Sequence, residues 1–173
     1  PPKVENREQF LAAVRASGSI GLGGAGFPTS LKLGSDPKEK QPDYLIINGA
    51  ECEPYITSDY RCFIEEGEDI LEGILLMLKY LSIPKCIIGI EKNKPLAIEK
   101  MTKLCEKHDN ITVKALKSSY PQGAEKTLIF STTGRVVKEG TLPLTSGCIV
   151  VNSSTAAFIA QYIKTGMPLV RRR

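Results

Sequence analysis

Residues 70–90 read ILEGILLMLKYLSIPKCIIGI and contain both kinds of element from which the fold is built. Over 68–81 the apolar residues recur at the three- and four-residue spacing of a helix, and Pro84 marks its end. Residues 86–90 then form a short, continuous apolar run, which indicates a strand buried on both faces. A helix followed closely by a buried strand is typical of a parallel sheet whose strands are connected through helices.

The same alternation continues in both directions along the chain. Further buried strands are predicted at 44–48, 111–116 and 147–151. Further helices are predicted from the cap at Asn6 to Gly18, from the cap at Asn93 to 105, at 124–130 and at 154–164. The composition of 34–42 and 138–146 is that of linkers. We therefore predict an α/β fold with a mostly parallel sheet flanked by helices on both faces.

Composition places the 173 residues in one globular domain. Hydrophobic residues make up 42% and charged residues 24%, which excludes a disordered chain. No run approaches the ~18 apolar residues of a membrane span, so we expect no direct membrane insertion. Three of the four net positive charges come from 171–173, which argues against a nucleic-acid partner. The chain lacks an initial Met and stops at a triple Arg, so we expect a piece of a longer polypeptide.

The cysteines indicate the compartment and exclude several kinds of site. There are five, with no C-x-x-C pair, and only one histidine. This pattern argues against a disulfide framework, a zinc finger and a four-cysteine iron–sulfur site. A reducing, cytoplasmic setting fits best, and we predict no metal ligands.

Three loops have residues suited to ligand binding, and the first is the glycine-rich loop at 21–29, GLGGAGFPT. Gly21, Gly23 and Gly26 match the G-x-G-x-x-G fingerprint, but that fingerprint requires a preceding strand and a following helix. Here a helix precedes the loop and Phe27-Pro28 follows it, so a Rossmann domain is not predicted. Its glycines let backbone N–H groups approach an anion or a flat ring; a flexible turn is the alternative.

Two further loops each follow a predicted strand, at the sheet edge where open α/β folds bind ligands. In 48–55, NGAECEPY, Asn48 offers a donor and an acceptor, and Glu51 and Glu53 can accept from ribose hydroxyls; a solvated acidic turn is the alternative. In 118–126, SSYPQGAEK, Tyr120 can stack on a ring. Glu125 is either a ligand contact or a first-turn acid favoured by the helix dipole.

Taken in chain order, five motifs resemble one family: GLGGAGFPT (21–29), INGAECEPYIT (47–57), IIGIEKNKP (87–95), YPQGAEKTLI (120–129) and VVNSSTAA (150–157). They resemble the RnfC proteins, peripheral subunits of the Rnf electron-transport complex, and the related PrdC electron-transfer proteins associated with proline reductase. More distantly, they are similar to the FMN-bearing, NADH-oxidising subunit of respiratory complex I. The resemblance spans about 17–170.

The resemblance implies a flavin fold of its own, with 1–173 as a single FMN- and NADH-binding domain. Iron–sulfur clusters and an SLBB domain would belong to the remainder of a longer protein. Carried over by motif, the implied FMN contacts are Gly21, Gly23, Gly24, Ala25, Lys32, Asn48, Glu51, Tyr120, Gly123, Asn152 and Thr155. The implied NADH contacts are Phe27, Glu53 and Glu125. Because the cofactor supplies the chemistry, no catalytic side chain is predicted.

Three functions are compatible with the sequence. The first is an electron-transfer flavoprotein domain that accepts hydride from NADH and passes electrons to iron–sulfur centres or a partner reductase, in the cytoplasm or peripheral to a membrane complex. The second is a degenerate nucleotide fold that serves as a docking module, since Val151 stands where the complex I subunit has Asn. The third is a thiol-redox protein acting through Cys52.

Overall fold

The computed structural model describes residues 1–20, 28–34, 41–50, 58–117 and 125–168. Four strands and seven helices lie in these ranges, together with one short 3-10 helix at Pro143–Ser146. The strands are β1 (Tyr44–Gly49), β2 (Lys85–Glu91), β3 (Ile111–Leu116) and β4 (Cys148–Asn152). The helices are α1 (Arg7–Ala16), α2 (Thr29–Leu33), α3 (Ser58–Glu65), α4 (Gly67–Tyr80), α5 (Pro95–Leu104), α6 (Glu125–Thr133) and α7 (Ser153–Thr165).

The four strands form one parallel sheet in the order β3-β2-β1-β4, which confirms the predicted fold class. After β1 the chain adds β2 and β3 on one side, and it then returns to add β4 on the other side of β1. The strand order therefore reverses between β1 and β4. In open parallel sheets, ligands bind at such a reversal, outside the carboxyl ends of the strands.

Helices cover both faces of the sheet because neighbouring strand residues point to opposite sides. Leu45 and Ile47 belong to the larger core, which they share with α1, α3, α4, α5 and α7. Ile46, between them, belongs to a smaller core under α6, with Leu128 and Ile129. All of these side chains are essentially inaccessible to solvent. Burial on both faces explains why β1, β2 and β4 read as continuous apolar runs. The edge strand β3 departs from this pattern, because Thr112 and Lys114 are exposed.

Helices α4 and α7 pack against each other at unusually short range. A Cβ atom at Gly73 would overlap the carbonyl oxygen of Ala156 and lie 2.7 Å from its carbonyl carbon. Only glycine therefore allows this approach. Since Ala156 lies near the start of α7, Gly73 also determines where the N-terminus of α7 lies relative to the sheet.

The structure corrects the sequence prediction at helix caps and short helices. Asn6 caps α1 as predicted, with its Oδ1 accepting from the Gln9 N–H at 2.9 Å. Asn93 does not cap α5: the capping position is Lys94, without a side-chain cap, so the prediction was wrong by one residue. Helix α2 and helix α3 were not predicted, because they are short, with five and eight residues.

Candidate functional site

Two asparagines stand side by side where the strand order reverses. Asn48 in β1 pairs in register with Asn152 in β4, and both lie at the carboxyl ends of their strands. The two residues are far apart in the chain, and only the parallel pairing of β1 and β4 makes them neighbours. Both are predicted FMN contacts, and the structure brings them together at the sheet edge where a ligand is expected.

Each asparagine is held by a backbone N–H two residues further along. The Asn48 Oδ1 accepts from the Ala50 N–H at 3.0 Å. The Asn152 Oδ1 accepts from the Ser154 N–H at 2.9 Å, which makes Asn152 the N-cap of α7. These bonds define which end of each amide is oxygen and which is nitrogen, since only the oxygen can accept.

Helix α7 begins directly after Asn152 and therefore starts beside the two asparagines. Thr155, another predicted FMN contact, lies in the first turn of this helix and is 2% exposed. Helix N-termini carry backbone N–H groups without intrahelical partners, and they favour negative charge or acceptor oxygens. The predicted start at 154 is one residue late, because α7 begins at Ser153.

A carboxylate that the sequence patterns do not single out also stands at the start of α7. The Asp59 Oδ1 accepts from the Ser153 hydroxyl at 3.1 Å and from the Asn152 Nδ2 at 3.3 Å. Asp59 belongs to the first turn of α3, a helix that was not predicted. An acid in a first helical turn is a common signal, but its contact with a residue 93 positions away is not readable from the sequence.

Lys32 and Glu125 form an ion pair between α2 and α6. Their side chains are 29% and 40% exposed, so the pair lies at the surface and not in the core. The family resemblance implies an FMN contact for Lys32 and an NADH contact for Glu125. In the structure the two side chains neutralise each other, so an anionic ligand at Lys32 would compete with the Glu125 carboxylate.

The remaining predicted contacts lie outside the described residues, and their roles stay predictions. For FMN these residues are Gly21, Gly23, Gly24, Ala25, Glu51, Tyr120 and Gly123. For NADH they are Phe27 and Glu53. Cys52, the candidate redox thiol, also lies outside the described residues.

The described cysteines are structural. Cys62, Cys86, Cys105 and Cys148 are all buried. Burial raises the pKa of Cys62 to about 12, with a smaller contribution from the Glu66 carboxylate, and burial raises the pKa of Cys105 to about 11. Burial also raises the pKa of Cys86 well above its usual value. Because the thiolate is the reactive form, burial and a raised pKa both disfavour reactivity at these three thiols.

The described ranges contain neither a metal cluster nor a membrane span. Within the part of the chain that the structure describes, no group of three His, Cys, Asp or Glu side chains is arranged to hold a metal ion. None of the helices in those ranges combines the length and apolar character needed to cross a membrane.

Fold and site together define the class: a parallel α/β domain with polar side chains gathered at the strand-order reversal. The family follows from sequence comparison. Residues 14–161 match the model of the Nuo51 FMN-binding domain, and the chain belongs to this family.

Two relatives confirm the resemblance to RnfC. One is the C subunit of the proton-translocating ferredoxin:NAD(+) oxidoreductase complex of Clostridium ljungdahlii, which is 43% identical over 165 residues, covering 95% of this chain and 36% of that protein. The other is the C subunit of the Na(+)-translocating ferredoxin:NAD(+) oxidoreductase complex of Acetobacterium woodii, which is 44% identical over 156 residues, covering 90% of this chain and 35% of that protein. The chain therefore spans about a third of the length of these curated relatives.

A solved structure has the same fold. A chain of an NAD+-reducing NiFe-hydrogenase in the air-oxidized state superimposes with a TM-score of 0.77, over 92% of this chain and 31% of that chain. The sequences are 23% identical, so this likeness concerns the fold alone.

Proposed function

We propose that this chain is the FMN-binding part of an electron-transfer flavoprotein that takes hydride from NADH. The observation that carries the proposal is the in-register pair Asn48 and Asn152 at the strand-order reversal, within a chain of the Nuo51 FMN-binding family. Electrons would pass to iron–sulfur centres or to a partner reductase in the remainder of a longer protein or complex. The curated relatives are named as subunits of ferredoxin:NAD(+) oxidoreductase complexes, which supports this setting.

The described residues have the chemistry that FMN requires. Lys32 would provide a cation for the phosphate once it is released from Glu125, and a compact ammonium suits a phosphate as a point charge. The amides of Asn48 and Asn152 and the first turn of α7, with Thr155, provide donors for acceptor oxygens. When bound, FMN would supply hydride acceptance and one-electron release.

The protein's part is to bind and orient. The side-chain amides of Asn48 and Asn152 are fixed by hydrogen bonds and lie on two rigid, neighbouring strands. This fixed orientation reduces the entropy that is lost when a ligand binds. On the NADH side we propose Phe27 for stacking on the nicotinamide, with Glu53 and Glu125 binding the ribose or the amide. Glu125 would have to leave Lys32 to take that role.

The test is reconstitution of the purified chain. Protein is mixed with FMN, freed of excess by gel filtration, and examined in the visible range, and NADH is then added without oxygen. We expect retained yellow flavin that bleaches with NADH, and we expect Asn48→Ala to lower the retained fraction. Asn93→Ala is the matched control, since Asn93 is exposed and lies outside the four strands. Flavin that washes off the unaltered chain would contradict the proposal.

A docking module is the second candidate, and two observations favour it. Lys32, the cation proposed for the phosphate, is neutralised by Glu125 in the structure, as expected if that position serves packing alone. Val151, which stands where the complex I subunit has Asn, is likewise buried in the core and offers no polar group. In that case the chain would bind a partner subunit and no FMN. The reconstitution separates the two functions, because a docking module retains no flavin.

We also propose the kind of complex in which this chain acts. We favour an RnfC-type complex, with the proline-reductase setting of PrdC as the other possibility raised by the motifs. Cytoplasmic exposure or a place at the periphery of a membrane complex would suit either one.

A further inference from the structure

The carboxylate of Asp59 lies in hydrogen-bonding contact with the N-cap of α7. Its Oδ1 receives two hydrogen bonds, from the Asn152 Nδ2 at 3.3 Å and from the Ser153 hydroxyl at 3.1 Å. The Asn152 Oδ1 is at the same time engaged by the Ser154 N–H at 2.9 Å. Both ends of the Asn152 amide are therefore held in one orientation.

The helix that carries Asp59 is itself anchored to the strand that carries Asn48. Phe63, one helical turn further along α3, is completely buried. Its ring fills the space beside Gly49, where an added Cβ would lie 2.6 Å from the ring Cζ. Helix α3 therefore contacts β1 through Phe63 and α7 through Asp59. This arrangement makes the position of Asp59 a consequence of core packing.

The geometry leaves a defined donor on Asn152. A side-chain amide has two N–H groups and one carbonyl oxygen. One N–H of the Asn152 amide points to Asp59, and its oxygen points to the α7 backbone. Because the amide is planar, the direction of its second N–H at the carboxyl edge of the sheet is then fixed. A carboxylate acceptor also strengthens the hydrogen bond compared with a neutral acceptor. Without Asp59 the amide could rotate or flip.

We infer that Asp59 is a positioning residue, which orients Asn152 so that its amide donates to an acceptor oxygen of the bound flavin. This inference rests on the proposed function. The acceptor belongs either to the phosphate or to the ring and ribityl part of the flavin. A comparison of FMN with riboflavin, which lacks the phosphate, distinguishes these two acceptor groups. Asp59 does not itself contact the ligand.

The binding test compares variants at the two ends of α7. Asp59→Ala should weaken FMN binding, measured by quenching of flavin fluorescence, about tenfold, which corresponds to about 1.4 kcal/mol. Asp59→Asn keeps an acceptor oxygen of the same size and should restore binding to within about threefold. Asp69→Ala is the control, because Asp69 holds the other end of α7 through Gln161 and Lys164. It should lower the melting temperature without changing the FMN dissociation constant.

The measurements with FMN and with riboflavin identify the acceptor. An effect of Asp59→Ala on FMN but not on riboflavin supports donation to the phosphate, and an equal effect on both supports donation to the ring or ribityl part. An unchanged FMN dissociation constant in Asp59→Ala would overturn the inference. So would an equal loss of binding in Asp69→Ala, since the effect would then be general to α7.

A measurement on the ligand-free chain keeps this inference separate from the proposed function. The side-chain amide protons of Asn152 should exchange with solvent more slowly than those of the exposed Asn93, and Asp59→Ala should remove the difference. Equal exchange in the unaltered chain would overturn the positioning role, whatever FMN does. If neither FMN nor riboflavin binds the unaltered chain, the proposed function fails, and the exchange rates alone decide whether Asp59 orients Asn152.

Discussion

Gly73→Ala should destabilise the protein, although alanine is the better helix former. In an exposed helix interior the change would gain about 1 kcal/mol. Here the new Cβ would overlap the Ala156 carbonyl oxygen and lie 2.7 Å from its carbon and 3.2 Å from its Cα. Contacting carbon atoms normally lie about 3.5–4.0 Å apart, so α4 and α7 must separate by roughly 1 Å. The neighbouring atoms belong to the backbone, so no side-chain rotation relieves the overlap.

The magnitude follows from these two opposing effects. Overpacking of a core costs about 1–3 kcal/mol, and more where the backbone must move. If the two helices separate by roughly 1 Å, the atoms that remain across the gap also lose about a quarter to a half of their van der Waals attraction. Because the backbone must move here, we place the cost at or somewhat above the top of that overpacking range, at about 3–4 kcal/mol, and after subtracting the gain of about 1 kcal/mol we expect a net loss of about 2–3 kcal/mol. For a chain of this size that corresponds to a fall in melting temperature of roughly 5–10 °C.

The assay is thermal unfolding followed by circular dichroism, with Gly67→Ala as the control. Gly67 lies in the same helix, but its added Cβ would meet the flexible ends of Leu104 and Lys100 at 3.0 and 3.1 Å. The control should therefore stay within about 1 kcal/mol of the unaltered chain. A Gly73→Ala variant as stable as this control would refute the close packing of α4 on α7. We also expect weaker FMN binding in Gly73→Ala, because the N-terminus of α7 would shift.

The remaining predictions concern charges and a helix cap. Glu125→Gln should tighten FMN binding several-fold by titration, since it releases Lys32 from its partner; weaker binding would refute the phosphate role of Lys32. Burial alone would raise the pKa of Asp69, but hydrogen bonds from Gln161 and Lys164, together with the Lys164 charge, outweigh burial and lower it. Replacing Asp69 by Asn should therefore cost about 0.5 kcal/mol at pH 7 in urea unfolding, a difference that disappears as the pH falls below the lowered pKa; a pH-independent difference would contradict this linkage. Asn6→Ala should cost about 1 kcal/mol by the same assay, and an unchanged midpoint would show that the cap of α1 is dispensable.

The elements of the fold could be predicted because their signals are local. The apolar spacing over 68–81 and the uninterrupted runs at 44–48 and 86–90 depend only on neighbouring residues, and they correctly indicated a helix and two buried strands. A cap depends on the backbone angles of a single residue, which explains the error at Asn93. Helix α3 was missed because it has only eight residues, too few for its apolar spacing to be distinctive.

The residues of the candidate site were named in part from motifs, but their arrangement in space could not be predicted from the sequence. By itself the sequence determined the identity and order of the residues proposed as contacts, such as Asn48, Asn152 and Lys32. Only the tertiary structure decided that β4 pairs with β1, which places the two asparagines in register, that Lys32 is neutralised by Glu125, and that Asp59 holds the Asn152 amide. The physical reason is that strand order and these contacts depend on the packing of segments about 90 or more residues apart, where no local preference acts.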